Sequence, residues 1–318
     1  MTANDSVDGA ATLWPPAVVR TPNLVCCLVV LAIVASAGCR RDEAPAAAPD
    51  AGAAPARKPP PSALDLPAAA SGDKVDLAAL TPGFVRVPGT RALLGSPAGE
   101  VGRSADEQQH EVTIRNSFEM QATEVTIEEY ERLIGRNPAA REGCPRCPVE
   151  QVSWFEAAHY CNELSRRRGL PICTTIDPKQ SHWRGPSCRG FRLPTEAEWE
   201  WAARGGTTAE RYGPLDQVAW IDANAGLRTH EVATKEPNIY GLFDMIGNVA
   251  EWVWDWKDTY PTAPSIDPVG PAAGDNRGFR GGAARWAVDE ARSAFRNGYG
   301  PGNKVEFIGF RCVRTLGP

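Results

Sequence analysis

A chain of 318 residues with 42% apolar content can bury one large core or two modest ones. Its formal charge of −5, with basic residues scattered rather than clustered, argues against a nucleic-acid-binding surface. No nucleophile elbow, phosphate loop or internal repeat is present, so the common hydrolase and nucleotide-binding classes have no motif to rest on.

In chain order, the first apolar stretch runs from Leu24 to Gly38 behind Arg20. It is short for a bilayer-spanning helix, which needs roughly 20 residues, but has the length of a signal-peptide core. Ser36, Ala37 and Gly38 before Cys39 resemble a bacterial lipobox, with Ser36 where that motif ordinarily has leucine. The resemblance implies cleavage before Cys39 and lipidation of its thiol; an uncleaved signal anchor is the alternative. The long n-region, with Asp5 and Asp8 against Arg20, fits a start codon assigned too far upstream. Residues 1–38 are therefore expected to be a lipoprotein signal peptide. The protein would be exported, facing the periplasm or the cell surface, with the outer membrane its expected place. Residues 39–82 are dominated by Ala and Pro and include Pro59-Pro-Pro61. Such a segment cannot repay its ordering entropy by burial, which predicts a disordered tether.

Residues 83–315 read as the folded domain. Phe84–Val87 and Arg91–Leu94 are predicted strands around a Pro88-Gly89 turn, His110–Arg115 alternates as a strand, and Ser117–Gln121 is its predicted neighbour. Three helix starts carry a capping box: Thr126 with Glu129, Ser153 with Glu156, and Thr195 with Glu198. The second helix places Trp154, Ala157, Ala158, Cys161 and Leu164 on one face, carries Arg166-Arg-Arg168 at its end where cations suit the macrodipole, and stops at Gly169. The third ends at Arg204 before Gly205-Gly206, after which regular periodicity fades. Ten tryptophans in such a loop-rich chain predict an α+β core held by buried indoles.

Four motifs then stand in order: Gly190-Phe-Arg-Leu-Pro-Thr-Glu-Ala-Glu-Trp-Glu-Trp-Ala-Ala-Arg-Gly-Gly206, Asn238-Ile-Tyr-Gly-Leu-Phe-Asp-Met-Ile-Gly-Asn-Val-Ala-Glu-Trp252, Arg280-Gly-Gly282 with Arg292-Ser-Ala-Phe-Arg296, and Gly309-Phe-Arg-Cys-Val-Arg314. With Glu124-Val-Thr126 and Pro148-Val-Glu-Gln-Val-Ser-Trp154 upstream, they resemble the formylglycine-generating enzyme (sulfatase-modifying factor) family over residues 82–315. The resemblance implies an elaborated C-type-lectin-like α+β fold, loop-rich and stabilised by disulfides and calcium. The parent enzymes oxidise a cysteine of exported sulfatases to formylglycine, using copper, oxygen and two active-site cysteines.

Carried onto this chain, those cysteine positions are Trp286 and Ala291, and the serine after the two glycines is Ala283. Tryptophan and alanine offer no thiolate to a soft Cu(I) ion, so copper is not expected and no catalytic residue is assigned. The calcium site implied by the resemblance falls on Asp244, Gly247, Val249 and Glu251, a run of hard oxygen donors; the alternative is a metal-free loop closed by hydrogen bonds. A second implied site would begin at Asn224 and Ala225, but the segment that supplies its remaining ligands is shortened before Val232.

Six cysteines remain beyond Cys26, Cys27 and Cys39, an even number that invites pairing in an exported domain. The resemblance implies a Cys161–Cys312 disulfide. Cys173 and Cys188 bracket an insertion, where a local staple is natural, and Cys144-Pro-Arg-Cys147 is left as a tight loop pair. A zinc site from Cys144, Cys147, Cys173 and Cys188 has the ligand count, but an oxidising compartment favours disulfides. The histidines at 110, 159, 182 and 230 have no metal-type spacing, and His159 reads as a core or boundary residue beside an apolar helix face.

The resulting expectation is a membrane-anchored binding or envelope-assembly module. Its peptide, protein or glycan ligand would occupy the groove where the oxidases hold substrate, with Arg285 and Trp286 lining or plugging it. The alternative is a family oxidase, formylglycine-generating or otherwise metal-dependent, acting on an exported protein.

Overall fold

The computed structural model describes residues 80–317. The expected signal peptide, Cys39 and nearly all of the tether lie outside the described residues. The chain order is β1 (Phe84–Val87), β2 (Thr90–Leu94), β3 (His110–Ile114), β4 (Ser117–Gln121), α1 (Ile127–Ile134), α2 (Trp154–Arg167), β5 (Thr174–Thr175), β6 (His182–Trp183) and α3 (Glu196–Arg204). Then come α4 (Leu215–Val218), β7 (Ala219–Trp220), α5 (Asp222–Ala225), β8 (Ile246–Gly247), β9 (Ala250–Trp256), β10 (Ser265–Ile266), β11 (Arg277–Arg280), β12 (Arg296–Tyr299), β13 (Ile308–Gly309) and β14 (Val313–Gly317).

All three capping boxes form: each hydroxyl of Thr126, Ser153 and Thr195 accepts the backbone N–H three residues on, and each partner glutamate accepts the cap residue's own N–H. Gly205 ends α3 in the left-handed region, at φ 56°. The apolar face of α2 is buried as its spacing predicts, and Tyr160 stacks on Tyr130 of α1 with ring centres 5.6 Å apart. His159 departs from its reading. It lies on the exposed side of α2, with Nε2 3.6 Å from Glu163 one turn on.

Strand partnership also departs from the sequence pattern. The Pro88-Gly89 link does not make a β1–β2 hairpin, and β4 is not beside β3. Instead the sheets run β1-β4-β14, β10-β3-β2 and β12-β11-β9-β13. The reason lies in β4, which is buried at all five positions and so needs a strand on each edge; β1 and β14 supply them. Gly89 meanwhile crosses the end of β3 so closely that a Cβ there would sit 2.6 Å from the Ile114 carbonyl oxygen. The stretch after Gly206, whose periodicity looked weak, contains the seven-residue β9, buried at six positions. Glu251 and Asp255 mask it in the sequence, because charged residues are not expected inside a strand buried on both faces.

These interior charges are matched by buried arginines. Arg311 grips Glu251, Arg292 grips Glu107, and Arg280 bridges Glu196 and Glu200. The indole N–H groups of Trp154 and Trp252 donate to the carbonyls of Val253 and Val152, 2.8 and 2.9 Å away. Polar cross-links of this kind hold loops to the core where ladders are short. Three disulfides complete the frame: Cys144–Cys147, Cys161–Cys312 and Cys173–Cys188. Every cysteine among the described residues is thereby oxidised, which closes the zinc alternative.

Candidate functional site

The Arg-Gly-Gly turn at the end of β11 organises the region to which the resemblance points. Gly281 and Gly282 both have positive φ, 97° and 76°. A Cβ on Gly282 would lie 2.7 Å from the Glu290 carbonyl oxygen and 3.3 Å from the Ala291 Cα, so only glycine lets these segments approach. Trp286 N–H donates to the Ala283 carbonyl oxygen at 2.9 Å. Ala283, Trp286 and Ala291 therefore converge on one loop, as the motif spacing implies. Ala283 and Ala291 are buried methyl groups, and Trp286 is half-buried with its ring 5.6 Å from Phe279 and 6.0 Å from Phe295. With the described cysteines all in disulfides, no thiolate is available among the described residues to hold Cu(I).

Arg285, next to that indole, lines a cleft of about 250 Å³ with Arg141, Glu150, Arg228 and Phe307. Its guanidinium pairs with Glu306 at 3.0 Å, lies 4.8 Å from the Phe307 ring centre, and donates to the Leu227 carbonyl oxygen at 3.2 Å. Two of the lining residues, Leu227 and Phe307, hold left-handed backbone at φ 58° and 64°. For bulky side chains this is costly, about 1–3 kcal/mol each, and such strain concentrates at ligand-holding sites. Neither residue carries a sequence signal of its role, because left-handed backbone is not legible in Leu or Phe. Burial raises the Glu150 pKa, despite N–H donation from the Ala140 backbone.

The Asn238–Trp252 loop packs beneath this region. Asn238 explains its own place: its Nδ2 donates to the Ala202 carbonyl oxygen at 2.7 Å, near the end of α3, and its Oδ1 accepts from the backbone of Tyr240 and Leu242. Asp244 and Asn248 take left-handed φ of 55° and 57°, and a Cβ on Gly247 would meet the Trp220 carbonyl oxygen at 2.2 Å. Asp244 is buried; Oδ2 accepts from Ala233 N–H at 2.7 Å, but Oδ1 has no partner. Glu251 accepts from the Trp199 indole and from Arg311, each at 2.8 Å.

Glu124, a member of the upstream motif whose role the sequence did not disclose, accepts from the Asn248 side chain and from Val249 N–H. Burial, then the charges of Asp244 and Glu251, push its pKa well up, and burial lifts Asp244 to about 6. Three buried carboxylates thus lie in the field of Arg311, whose guanidinium bonds directly to Glu251 alone among them. An orphaned carboxylate oxygen amid surplus negative charge fits a hard cation. No group of three or more Asp, Glu, His or Cys side chains converges at metal-binding distance among the described residues, so backbone carbonyls would have to complete the shell. Asn224 is already spent, accepting from Ile221 N–H and donating to the Ala219 carbonyl oxygen, and the Ala225 carbonyl faces His230 Nε2 at 2.9 Å.

Comparison with known proteins bears on this arrangement. The sulfatase-modifying factor enzyme 1-like domain matches residues 73–316. The formylglycine-generating enzyme of Streptomyces coelicolor is 32% identical over 193 residues, 54% of each chain. A chaperone protein LppX of Paenibacillus barcinonensis is 33% identical over 177 residues, 44% of this chain and 62% of its own. A serine/threonine-protein kinase pkn1 of Chlamydia caviae is 33% identical over 255 residues, 73% of this chain and 38% of its own. The chain spans less than two thirds of the length of each of these relatives.

Among solved structures, Treponema denticola variable protein 1 superposes with a TM-score of 0.67 at 33% identity, covering 73% of this chain and 94% of that one. PvdO from Pseudomonas aeruginosa does so with a TM-score of 0.62 at 27% identity and the same coverage, 73% and 94%. The fold is the C-type-lectin-like α+β arrangement expected from the motifs, and its carriers have varied names and roles. This chain belongs to the sulfatase-modifying factor enzyme 1-like domain family.

Proposed function

We propose that this protein is an exported, lipid-anchored binding module that holds a peptide or protein segment in the cleft beside Arg285. The observation that carries the reading is the loop after the Arg-Gly-Gly turn, where Ala283, Trp286 and Ala291 converge and no sulfur or hydroxyl is offered. Trp286, at the position that the resemblance assigns to the first thiolate, packs its indole on Phe279 and Phe295. The strained Leu227 and Phe307 and the mixed charges of Arg285, Arg141 and Glu306 support a polypeptide as ligand. Main-chain amides and charged side chains of both signs would find partners there. A lipid on Cys39 would keep the domain at the outer membrane, and an envelope-assembly role is one form of the same activity.

Calcium is the metal proposed, held by Asp244 with the carbonyls of Gly247 and Val249 and by Glu251, whose two oxygens would have to yield part of their bonding to Trp199 and Arg311. When bound, it would supply positive charge among carboxylates that outnumber Arg311, and a partner for Asp244 Oδ1.

Purified full-length protein is to be assayed for bound copper and calcium, and for turnover of a Cys-x-Pro-x-Arg peptide by mass spectrometry. Calcium without copper and an unmodified peptide are expected. Thiolate-bound copper together with a formylglycine product would establish the oxidase reading instead.

A further inference from the structure

A second pocket, of about 380 Å³, shares no lining residue with the Arg285 cleft. Strand pairing assembles it. Leu94 of β2 lies opposite His110 of β3, and Ser265 of β10 lies opposite Val112, which projects from the same face of β3 as His110. The first turn of α3 adds Glu196, the end of β9 adds Asp255 and Trp256, and a proline-rich strap from Tyr260 to Pro271 completes the wall. Tyr260 is held firmly, with its ring centre 3.9 Å from the Arg296 guanidinium and 4.0 Å from the His110 ring.

The buried charged groups in this pocket are already spent. Arg296 grips Glu196 through Nε and Nη2, both at 2.6 Å, and donates to the carbonyls of Asp106 and Asp258. Arg280 takes the same Glu196 carboxylate and the Tyr260 hydroxyl. Asp255 accepts from Glu196 N–H at 2.9 Å, and burial beside the Glu196 carboxylate raises its pKa to about 8, which favours its protonated form. An anion would find no free guanidinium, and the buried carboxylates are likewise taken; Asp258, at the rim and accepting from Thr259 N–H, is the exposed lining carboxylate, without an ion pair among the described residues.

Uncharged hydrogen-bonding capacity is what remains. His110 Nδ1 faces the Gln108 carbonyl oxygen at 3.1 Å, which makes Nδ1 the donor and leaves Nε2 an acceptor. His110 is 6% exposed, and burial also lowers its pKa and keeps the ring neutral. Ser265 Oγ is buried with no partner. Between these polar points the wall is carbon from Leu94, Trp256, Pro268, Val269 and Pro271.

We infer that this pocket binds a neutral, hydroxylated six-membered ring about the size of one hexopyranose. Hydroxyls at the ring edge would satisfy His110, Ser265 and Asp255, while the C–H faces meet the apolar wall. A wholly apolar solute would leave those three polar groups desolvated and unpaired. The volume lies toward the small end of known small-molecule sites, roughly 300–1,000 Å³.

The test titrates full-length protein with methyl glucopyranoside, methyl galactopyranoside and methyl mannopyranoside, following saturation-transfer NMR and tryptophan fluorescence. Glucuronate and glucosamine serve as the anionic and cationic counterparts. At least one neutral pyranoside is expected to saturate and to exceed both charged sugars in affinity. Ser265→Ala and His110→Phe should each weaken it by roughly three- to tenfold, the worth of one hydrogen bond. Glu163→Gln, on the exposed face of α2, should leave it unchanged. Ser265→Ala carries the test if the buried His110 variant does not fold. The inference is overturned by the absence of any saturable neutral sugar, by tighter binding of a charged one, or by undiminished affinity in Ser265→Ala.

Discussion

Replacing Cys161 and Cys312 together by alanine should be the most damaging disulfide deletion in this domain. The bond closes a sequence separation of 151 residues, against 15 for Cys173–Cys188 and 3 for Cys144–Cys147. On the chain-entropy estimate these closures contribute about 5, 3 and 2 kcal/mol respectively. Cys161 and Cys312 are fully buried among Tyr160, Phe310 and Leu164, so truncation also deletes packed sulfur. The Cys144→Ala/Cys147→Ala variant also deletes two buried sulfurs and therefore controls for that loss. The difference attributable to closure is about 3 kcal/mol. A domain of roughly 240 residues unfolds with an entropy of about 0.5 kcal/mol/K, so the two double variants should melt about 6 °C apart. Scanning calorimetry under oxidising conditions measures this directly. Melting temperatures within about 2 °C of each other would refute the reasoning, because that gap corresponds to only about 1 kcal/mol.

Three further outcomes are expected. Calcium at about a hundredfold excess over its dissociation constant should raise the melting temperature by about 5 °C, from roughly 2.7 kcal/mol of linkage, and Asp244→Ala should abolish the rise; a calcium-insensitive wild type would refute the site. Asp255 holds its proton up to about pH 8 when folded, whereas the unfolded chain loses it near 3.9, so its contribution is full at low pH and is lost as pH climbs through 8. Asp255→Asn should therefore gain on the wild type steadily between pH 5 and 8, and a pH-independent difference in melting temperature would count against this. Phe307→Gly should relieve left-handed strain, offsetting lost packing by about 1 kcal/mol, yet weaken peptide binding at the Arg285 cleft; urea midpoints and binding isotherms of the same variant separate the two effects.

Local signals carried far in this chain. The hydroxyl–glutamate pairs at Thr126, Ser153 and Thr195 define helix starts because a capping box is complete within four residues. Gly205 was legible for the same reason, since it ends α3 at the close of its own motif; Asn238 was not, because its Nδ2 donates to the Ala202 carbonyl oxygen 36 residues away. The close packing at the Arg-Gly-Gly turn could be anticipated as well, because two consecutive glycines mark a place where chain segments approach too closely for a Cβ.

Partnership was not legible. β4 takes β1 and β14 as neighbours because its burial on both faces must be satisfied, and β14 begins at Val313, 193 residues beyond its partner Met120 and next to the Cys312 tether. Nor could the sequence place His110, Asp255, Ser265 and Arg296 in one pocket, since nothing local to any of them refers to the others. By itself, the sequence determined the helix starts, the cysteines available for pairing, the family and the absence of a thiol pair at the Arg-Gly-Gly loop. Only the tertiary structure decided strand order, the strained cleft beside Arg285 and the pocket under the proline strap. Those depend on long-range burial and charge compensation, which residue spacing does not encode.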